Sequence, residues 1–438
     1  MSLQFIIGSS GIGKTHYACE QIIRESMENP QHLYYIIVPA QFTMQTQKNV
    51  VEMHPGKGIL NIDVLSFQRL AYRIFEETGG AREVLLDDTG KSMVLQKLVQ
   101  QLRKNLPYLG SQMNKPGYLD EVKSLISEFM QYDIREEELQ DMLGKTGEDS
   151  LLHMKMQDVG VLYQAFLQYL EGHYMTGEGV MDALKKAIPF SDKLKKSVLL
   201  LDGFTGFTPV QMNVIRELLN VCDKVLVTVT MDAGENPLQM GKPHQLFYMS
   251  RKMIHTLSGL TSNLDDPILL KDERKGRFGN FTSLDFLEKH LFRYRRSVYE
   301  KKQEEICIFA AESPVKELEE TARRIRRLVR EKNLKYGEIA VITGNLEAYK
   351  SIASQVFEES RIPYFLDEKH TILMNPFIEY IRAALEMVTK GFSYESVFRY
   401  LRCDMSGLAR DQVDMLENYV LALGIRGYKK WSEKWVRV

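Results

Sequence analysis

Gly8-Ser9-Ser10-Gly11-Ile12-Gly13-Lys14-Thr15 matches the pattern G-x-x-x-x-G-K-(S/T) in full. Directly before it, Leu3-Gln4-Phe5-Ile6-Ile7 is an apolar run of strand length, and residues 15–27 contain neither Pro nor Gly and read as a helix. Strand, glycine-rich loop and helix in that order are the context in which such a loop cradles phosphate. The glycines let successive backbone N–H groups turn toward one anion, and the positive end of the following helix adds to the attraction. The pattern predicts that Lys14 reaches the β- and γ-phosphates of a nucleoside triphosphate and that the Thr15 hydroxyl ligates Mg²⁺. Gly8, Ser9, Ser10, Gly11, Ile12, Gly13, Lys14 and Thr15 are therefore the expected ATP-binding residues. The alternative is a Gly/Ser turn that happens to precede a helix.

Such a site needs an acid at the end of a neighbouring strand to hold the Mg²⁺ water shell. Ser197-Val198-Leu199-Leu200-Leu201-Asp202 is an apolar run ending in an acid, and Gly203-Phe204-Thr205-Gly206 turns away from it. Asp202 is the expected partner of Thr15 at the metal, with a plain strand cap as the alternative. Hydrolytic ATPases usually set a Glu beside this Asp to activate water. Here the neighbour is Gly203, so nucleotide binding is supported while hydrolysis lacks its base. Asp232 closes another strand, at 225–231, as a weaker candidate, and His16 is expected to pack on its own helix.

Composition bounds the rest. A chain of 438 residues is too long for one compact domain and suggests two to four. With 44% hydrophobic and 26% charged residues it reads as an ordinary globular protein. No apolar run approaches the ~20 residues of a membrane span, and no signal peptide is evident, so a cytoplasmic protein without a membrane partner is expected. Cys19, Cys222, Cys307 and Cys403 are far apart and form no CxxC pair, and the nine histidines include no HExxH. Neither a disulfide framework nor a metal site made only of protein ligands is supported. A net charge of −1 gives no global basic field, so nucleic acid would have to meet local basic surface.

The patterning alternates. Strands are expected at 33–38, 59–65, 197–202 and 224–230, with helices at 66–75, capped by Ser66 and closed by Gly79-Gly80, and at 210–219. Between them, 91–104, 119–132 and 156–170 repeat apolar residues at helical spacing, and no strand stands out from 87 to 191. A second α/β region is expected from about 304, with strands at 306–310 and 337–343 and helices at 317–332 and 346–358; helices follow from Pro376 to Leu423. The stretch 260–280, with Asp265, Asp266, Lys275 and Gly276, reads as a mobile connection.

Two basic clusters remain open in meaning. Arg323, Arg324, Arg326, Arg327 and Arg330 share a helix with Glu317, Glu319 and Glu320, which fits a solvated face with local ion pairs or a phosphate-tracking face. Phe292-Arg293-Tyr294-Arg295-Arg296, then Tyr299 and Lys301-Lys302, interleaves cations and aromatics as single-strand binding surfaces do, or forms an ordinary amphipathic segment.

Beyond the 8–15 loop, several stretches together resemble one family. They are Val38-Pro39-Ala40-Gln41-Phe42-Thr43, Leu65-Ser66-Phe67-Gln68-Arg69-Leu70-Ala71, Gly117-Tyr118 with Ile126-Ser127-Glu128-Phe129, and Leu201-Asp202-Gly203-Phe204-Thr205-Gly206-Phe207-Thr208-Pro209. Gln245-Leu246-Phe247 and Glu338-Ile339-Ala340-Val341-Ile342 complete the set. Over essentially its whole length the chain resembles the AddB/RexB family, one half of the bacterial ATP-dependent helicase–nucleases that process double-strand DNA breaks for homologous recombination.

The resemblance implies an α/β fold like superfamily 1 helicases, with P-loop RecA-like parallel-sheet domains carrying helical insertions. The first RecA-like domain would comprise 1–85 and 192–300 around an insertion at 86–191. The second would start at 301–375 and enter its own insertion at 376–438. Implied ligands are ATP, Mg²⁺, single-stranded DNA scanned for the Chi sequence, and double-stranded DNA; the implied partner is an AddA-type helicase/nuclease subunit.

Departures from helicase motors qualify the activity. Asp202-Gly203 replaces the Asp-Glu pair, residues 227–232 lack a Gly-Asp-x-x-Gln element, and Thr343-Gly344-Asn345 offers no Arg for the γ-phosphate. A helicase-shaped, motor-deficient subunit is therefore expected. The family's nuclease domain and four-cysteine iron–sulfur cluster are not matched here, and the chain reads as an N-terminal fragment. Two other readings stay open: a free-standing phosphate-loop NTPase or kinase, and a structural subunit whose loop is a relic.

Overall fold

The apolar runs on either side of the 8–15 loop assemble into one parallel sheet. The computed structural model describes all residues except 1, 81–82, 113–116, 148–149, 233, 272–276, 279–281, 294–295, 368–371, 373 and 436–438. The described strands are β1 (Ser2–Gly8), β2 (Leu33–Ile37), β3 (Ile62–Leu65), β4 (Val84–Leu86), β5 (Tyr174–Thr176), β6 (Ser197–Leu201), β7 (Lys224–Thr230) and β8 (Ile268–Leu269). Six of them form a sheet in the order β3-β2-β6-β7-β1-β8, and every pairing in it is parallel.

Side chains alternate across this sheet with period two, and both faces are covered. Phe5, Ile7, Leu199, Leu201, Val227 and Val229 join one core, with residues of helices Phe67–Thr78, Pro209–Val221 and Tyr248–Ser258. Ile6, Ile36, Leu200 and Leu226 join the other, with residues of helices Lys14–Glu28 and Thr43–Met53. Burial on both sides is why these strands read as near-continuous apolar runs. Helix limits follow local chemistry: the Ser66 hydroxyl accepts from the Arg69 N–H at the start of Phe67–Thr78, and Gly79 at φ 83° ends it.

The stretch expected to be a mobile connection is instead tied to the sheet. β8 lies beside β1, pairing Ile6 with Ile268 and Ile7 with Leu269, and the Ser2 hydroxyl donates to Asp265 at 2.8 Å. Lys275 and Gly276 lie outside the described residues.

The insertion is helical as expected, with a core of its own in which Leu95, Ile126, Leu162 and Phe166 are buried. It nevertheless contains a strand pair, β4 with β5, where none was expected. Three residues are too few to leave a periodic signal. Helix Gly179–Ala187 turns back to the main sheet, burying Val180 and Leu184 in its core.

The chain divides into two compact units, Met1–Cys307 and Ile308–Val438. In the second, helices Pro314–Glu331 and Leu346–Glu359 pack through Leu318, Ile325, Val356 and Phe357, close to the expected bounds. Helices Pro376–Thr389, Tyr394–Leu401, Arg410–Leu423 and Tyr428–Ser432 follow.

The strands expected at 306–310 and 337–343 are not present: these segments are not paired into a ladder, and Tyr336–Glu338 is a 3₁₀ turn. An extended β-branched segment becomes a strand only where another backbone lies at hydrogen-bonding distance. Ile308 and Ile342 are 93% and 92% exposed, which is how such a segment looks without a neighbour. Among the described residues no helix is long and apolar enough to cross a membrane.

Candidate functional site

The 8–15 loop leaves the carboxyl end of β1 and enters helix Lys14–Glu28 through two glycines in the left-handed region, Gly11 at φ 78° and Gly13 at φ 98°. A side chain at either position would strain the backbone, so the loop's curvature depends on glycine there. Ile12, 6% exposed, pins the middle of the loop into the core below the sheet.

Two functional side chains follow at the helix start. The Lys14 ammonium donates to the Ser9 carbonyl at 2.8 Å. Burial pushes its pKa down, while the charges of Asp202 and Glu288 pull it back up. The Thr15 hydroxyl donates to the Asp202 carboxylate, 3.0 Å from each of its oxygens.

Asp202 reaches Thr15 from a strand that is not adjacent to β1. In the sheet, β7 lies between β6 and β1, and its Thr228 hydroxyl donates to Asp202 Oδ1 at 2.6 Å. The Asp202 N–H donates to the Ile37 carbonyl at 3.0 Å, so β2 holds it from the other side. Asp202 is 5% exposed, yet two hydroxyls and its own backbone bond fix its position. All these contacts lie at the carboxyl ends of parallel strands, where open α/β sheets bind ligands.

The loop borders a cavity of about 800 Å³ whose wall includes Gly13, Lys14, Thr15, Thr46, Asn49 and Arg277. Cys19 also lines it, and burial, with a smaller contribution from Asp202, pushes its thiol up to about 12. That thiol is a packing group rather than a nucleophile at neutral pH.

Thr15 and Asp202 offer hard oxygen ligands beside an ammonium and a row of backbone N–H groups. That donor set fits Mg²⁺, which takes one or two protein oxygens and completes its shell with phosphate and water. No group of three or more His, Cys, Asp or Glu side chains among the described residues is arranged to hold a metal without such help.

The other sequence candidates go elsewhere. Asp232 accepts from Arg293 at 2.8 Å and is committed to that ion pair, while Arg293 also lies over the Phe247 ring. His16 is largely exposed and faces Glu20 one turn on, at 3.4 Å. Tyr299 packs on Phe286 and hydrogen-bonds Thr282, so part of the cation–aromatic run is used internally; Tyr294 and Arg295 lie outside the described residues. On helix Pro314–Glu331, Arg323 and Arg324 both pair with Glu320, whose carboxyl the Arg324 hydrogen bond holds below its ordinary range. Those arginines form the solvated, ion-paired face that was one of the two readings.

Three residues of the site carried no sequence signal: Thr228, Arg277 and Glu288. Thr228 is one threonine in a β-branched run, and only the register that sets Leu201 opposite Val227 brings it beside Asp202. Arg277 and Glu288 reach the loop from the far end of the same unit, the Arg277 N–H donating to the Gly11 carbonyl at 2.8 Å.

An open parallel α/β sheet with a glycine-rich loop, a lysine and a Thr–Asp pair at its carboxyl edge defines the class. The chain belongs to the family described as ADDB, N-terminal, whose profile matches residues 5–288. It is 42% identical over 444 residues to the B-type subunit of the ATP-dependent helicase/deoxyribonuclease of Lachnoclostridium phytofermentans, covering 100% of this chain and 39% of that protein. The proteins of the same name from Clostridium novyi and Clostridium acetobutylicum are 34% and 35% identical, each covering 99% of this chain and 38% of their own length. The chain thus spans about two fifths of the length of these relatives.

Proposed function

We propose that this chain is the nucleotide-binding amino-terminal part of a B-type subunit in an ATP-dependent DNA helicase–nuclease that repairs double-strand breaks. ATP would lie in the cavity beside the 8–15 loop, its phosphates on the backbone N–H groups of residues 11–15 and on Lys14. Thr15 and Asp202 would hold Mg²⁺, which when bound supplies charge neutralisation between the β- and γ-phosphates. The observation that carries this reading is the contact of Thr15 with Asp202 across an intervening strand. Sequence-distant residues meet there in the arrangement that metal-bound triphosphate requires.

The sheet order and the helical insertion favour a RecA-like, superfamily 1 domain made from 1–85 and 192–300, with a second such domain beginning near 301. Gly203 beside Asp202 favours a subunit that grips nucleotide without rapid turnover, because no carboxylate stands next to Asp202 to activate water. An A-type helicase/nuclease subunit as partner, and DNA as ligand, follow from the relatives' names and the shared stretches.

Titration with a fluorescent ATP analogue in Mg²⁺ tests the binding claim: saturable binding lost in Lys14→Ala supports it, and no saturable binding favours a relic loop. Steady-state ATPase assays with single-stranded DNA test the second claim. Turnover at about 1 s⁻¹ or faster, abolished by Lys14→Ala, would refute the motor-deficient reading.

A further inference from the structure

A carboxylate already occupies the outer end of the 8–15 loop. Glu288, on helix Thr282–His290, accepts from the backbone N–H of Ser10 at 3.2 Å. It is also near enough to Lys14 for its charge to act on the ammonium. A lysine in this position serves the β/γ end of a triphosphate. Glu288 therefore sits where a terminal phosphate approaches, and two anions cannot share those donors without strong repulsion.

The surroundings connect this carboxylate to more than the loop. Arg277, just before helix Thr282–His290, lines the cavity and is fastened by its N–H to the Gly11 carbonyl at 2.8 Å. The Phe278 ring crowds the same glycine: a Cβ on Gly11 would lie 2.8 Å from it. At its other contacts the helix is joined to the stretch that leads into the second unit. Buried Ser283 donates to Glu305 at 2.8 Å, and Phe286 packs on Tyr299 with ring centres 5.2 Å apart. Displacing Glu288 would move a helix whose anchors lie immediately before Ile308 in the chain.

We infer that Glu288 is an internal substitute for the terminal phosphate, so that helix Thr282–His290 distinguishes a bound triphosphate from a diphosphate. A triphosphate displaces the carboxylate from Ser10 and Lys14 and leaves Arg277 beside the new anion. A diphosphate leaves Glu288 in place. The inference rests on the nucleotide reading above and adds to it the regulation of the same site.

The test compares fluorescent ATP and ADP analogues, each with Mg²⁺, on the full chain, Glu288→Gln and Lys14→Ala. Removing the like charge is expected to tighten ATP binding by about tenfold and ADP binding by less than about twofold. Hydrogen–deuterium exchange of the unmodified chain supplies an independent readout, with ATP but not ADP raising exchange across 282–290.

Equal affinities in the full chain and Glu288→Gln, or equal tightening for both nucleotides, overturn the inference while leaving the nucleotide reading intact. Exchange across 282–290 that responds alike to ATP and ADP overturns it in the same way, even if the variant does not fold. No saturable binding in either the full chain or Glu288→Gln overturns the nucleotide reading itself, and the inference with it.

Discussion

At the scale of single residues, the site depends on who satisfies Asp202. Its carboxylate is buried, and Thr228 gives it the shortest of its hydrogen bonds, 2.6 Å. Thr228→Val keeps the shape of the side chain and removes the donor. The expected cost is about 1–3 kcal/mol, read from the urea midpoint of the chain, because a buried charged acceptor loses a partner. Cys19 and Cys222 allow a second test, since burial pushes both thiols from an ordinary 9.0 up to about 12. Their folded values lie above the unfolded ones, so their contribution is complete below about pH 9 and falls away as pH rises toward about 12. Replacing both by Ala should flatten the loss of stability across that window by up to about 1.4 kcal/mol per pH unit per thiol. Urea unfolding at a series of alkaline pH values measures the slope.

At the scale of elements, the insertion is fastened by one buried ion pair. Lys91, 4% exposed, donates to both oxygens of Glu178 at 2.9 Å and to Ser127 at 3.1 Å. These contacts join helix Asp88–Leu102 to helix Tyr118–Gln131 and to the start of helix Gly179–Ala187, which belongs to the main core. Lys91→Ala leaves Glu178 charged and without its cation, at an expected cost of about 3–5 kcal/mol in thermal or urea unfolding. The double variant Lys91→Met with Glu178→Leu should recover most of that loss, since apolar replacement removes both desolvation terms. If the double variant is as unstable as the single one, the pair is not what holds the insertion.

At the scale of the whole molecule, the two units differ in completeness. Every contact of the candidate site lies within Met1–Cys307, so residues 1–307 expressed alone should bind the ATP analogue within about threefold of the full chain. A much weaker affinity would mean that residues after Cys307 contribute to the site. The second unit carries extended apolar segments with exposed Ile308, Ile342 and Phe365. Contiguous apolar exposure of this kind marks an interaction surface or an aggregation liability. Residues 308–438 expressed alone should therefore bind a hydrophobic dye and self-associate, which fluorescence and sedimentation would detect.

What could be learned from the chain alone was local or strongly periodic. The 8–15 loop, the strands of the main sheet and the helices of the insertion all announce themselves through steric rules and apolar spacing within a few residues. Asp202 was legible for the same reason, as an acid ending a buried run. Pairing and approach were not legible, because they depend on backbones that meet from distant parts of the chain. Thr228 acts through strand register, Glu288 reaches Ser10 from 278 positions away, and the segments at 306–310 and 337–343 have strand composition without a neighbour to complete a ladder. Local sterics write themselves into sequence; hydrogen-bond partners across a fold are chosen only when the chain closes on itself.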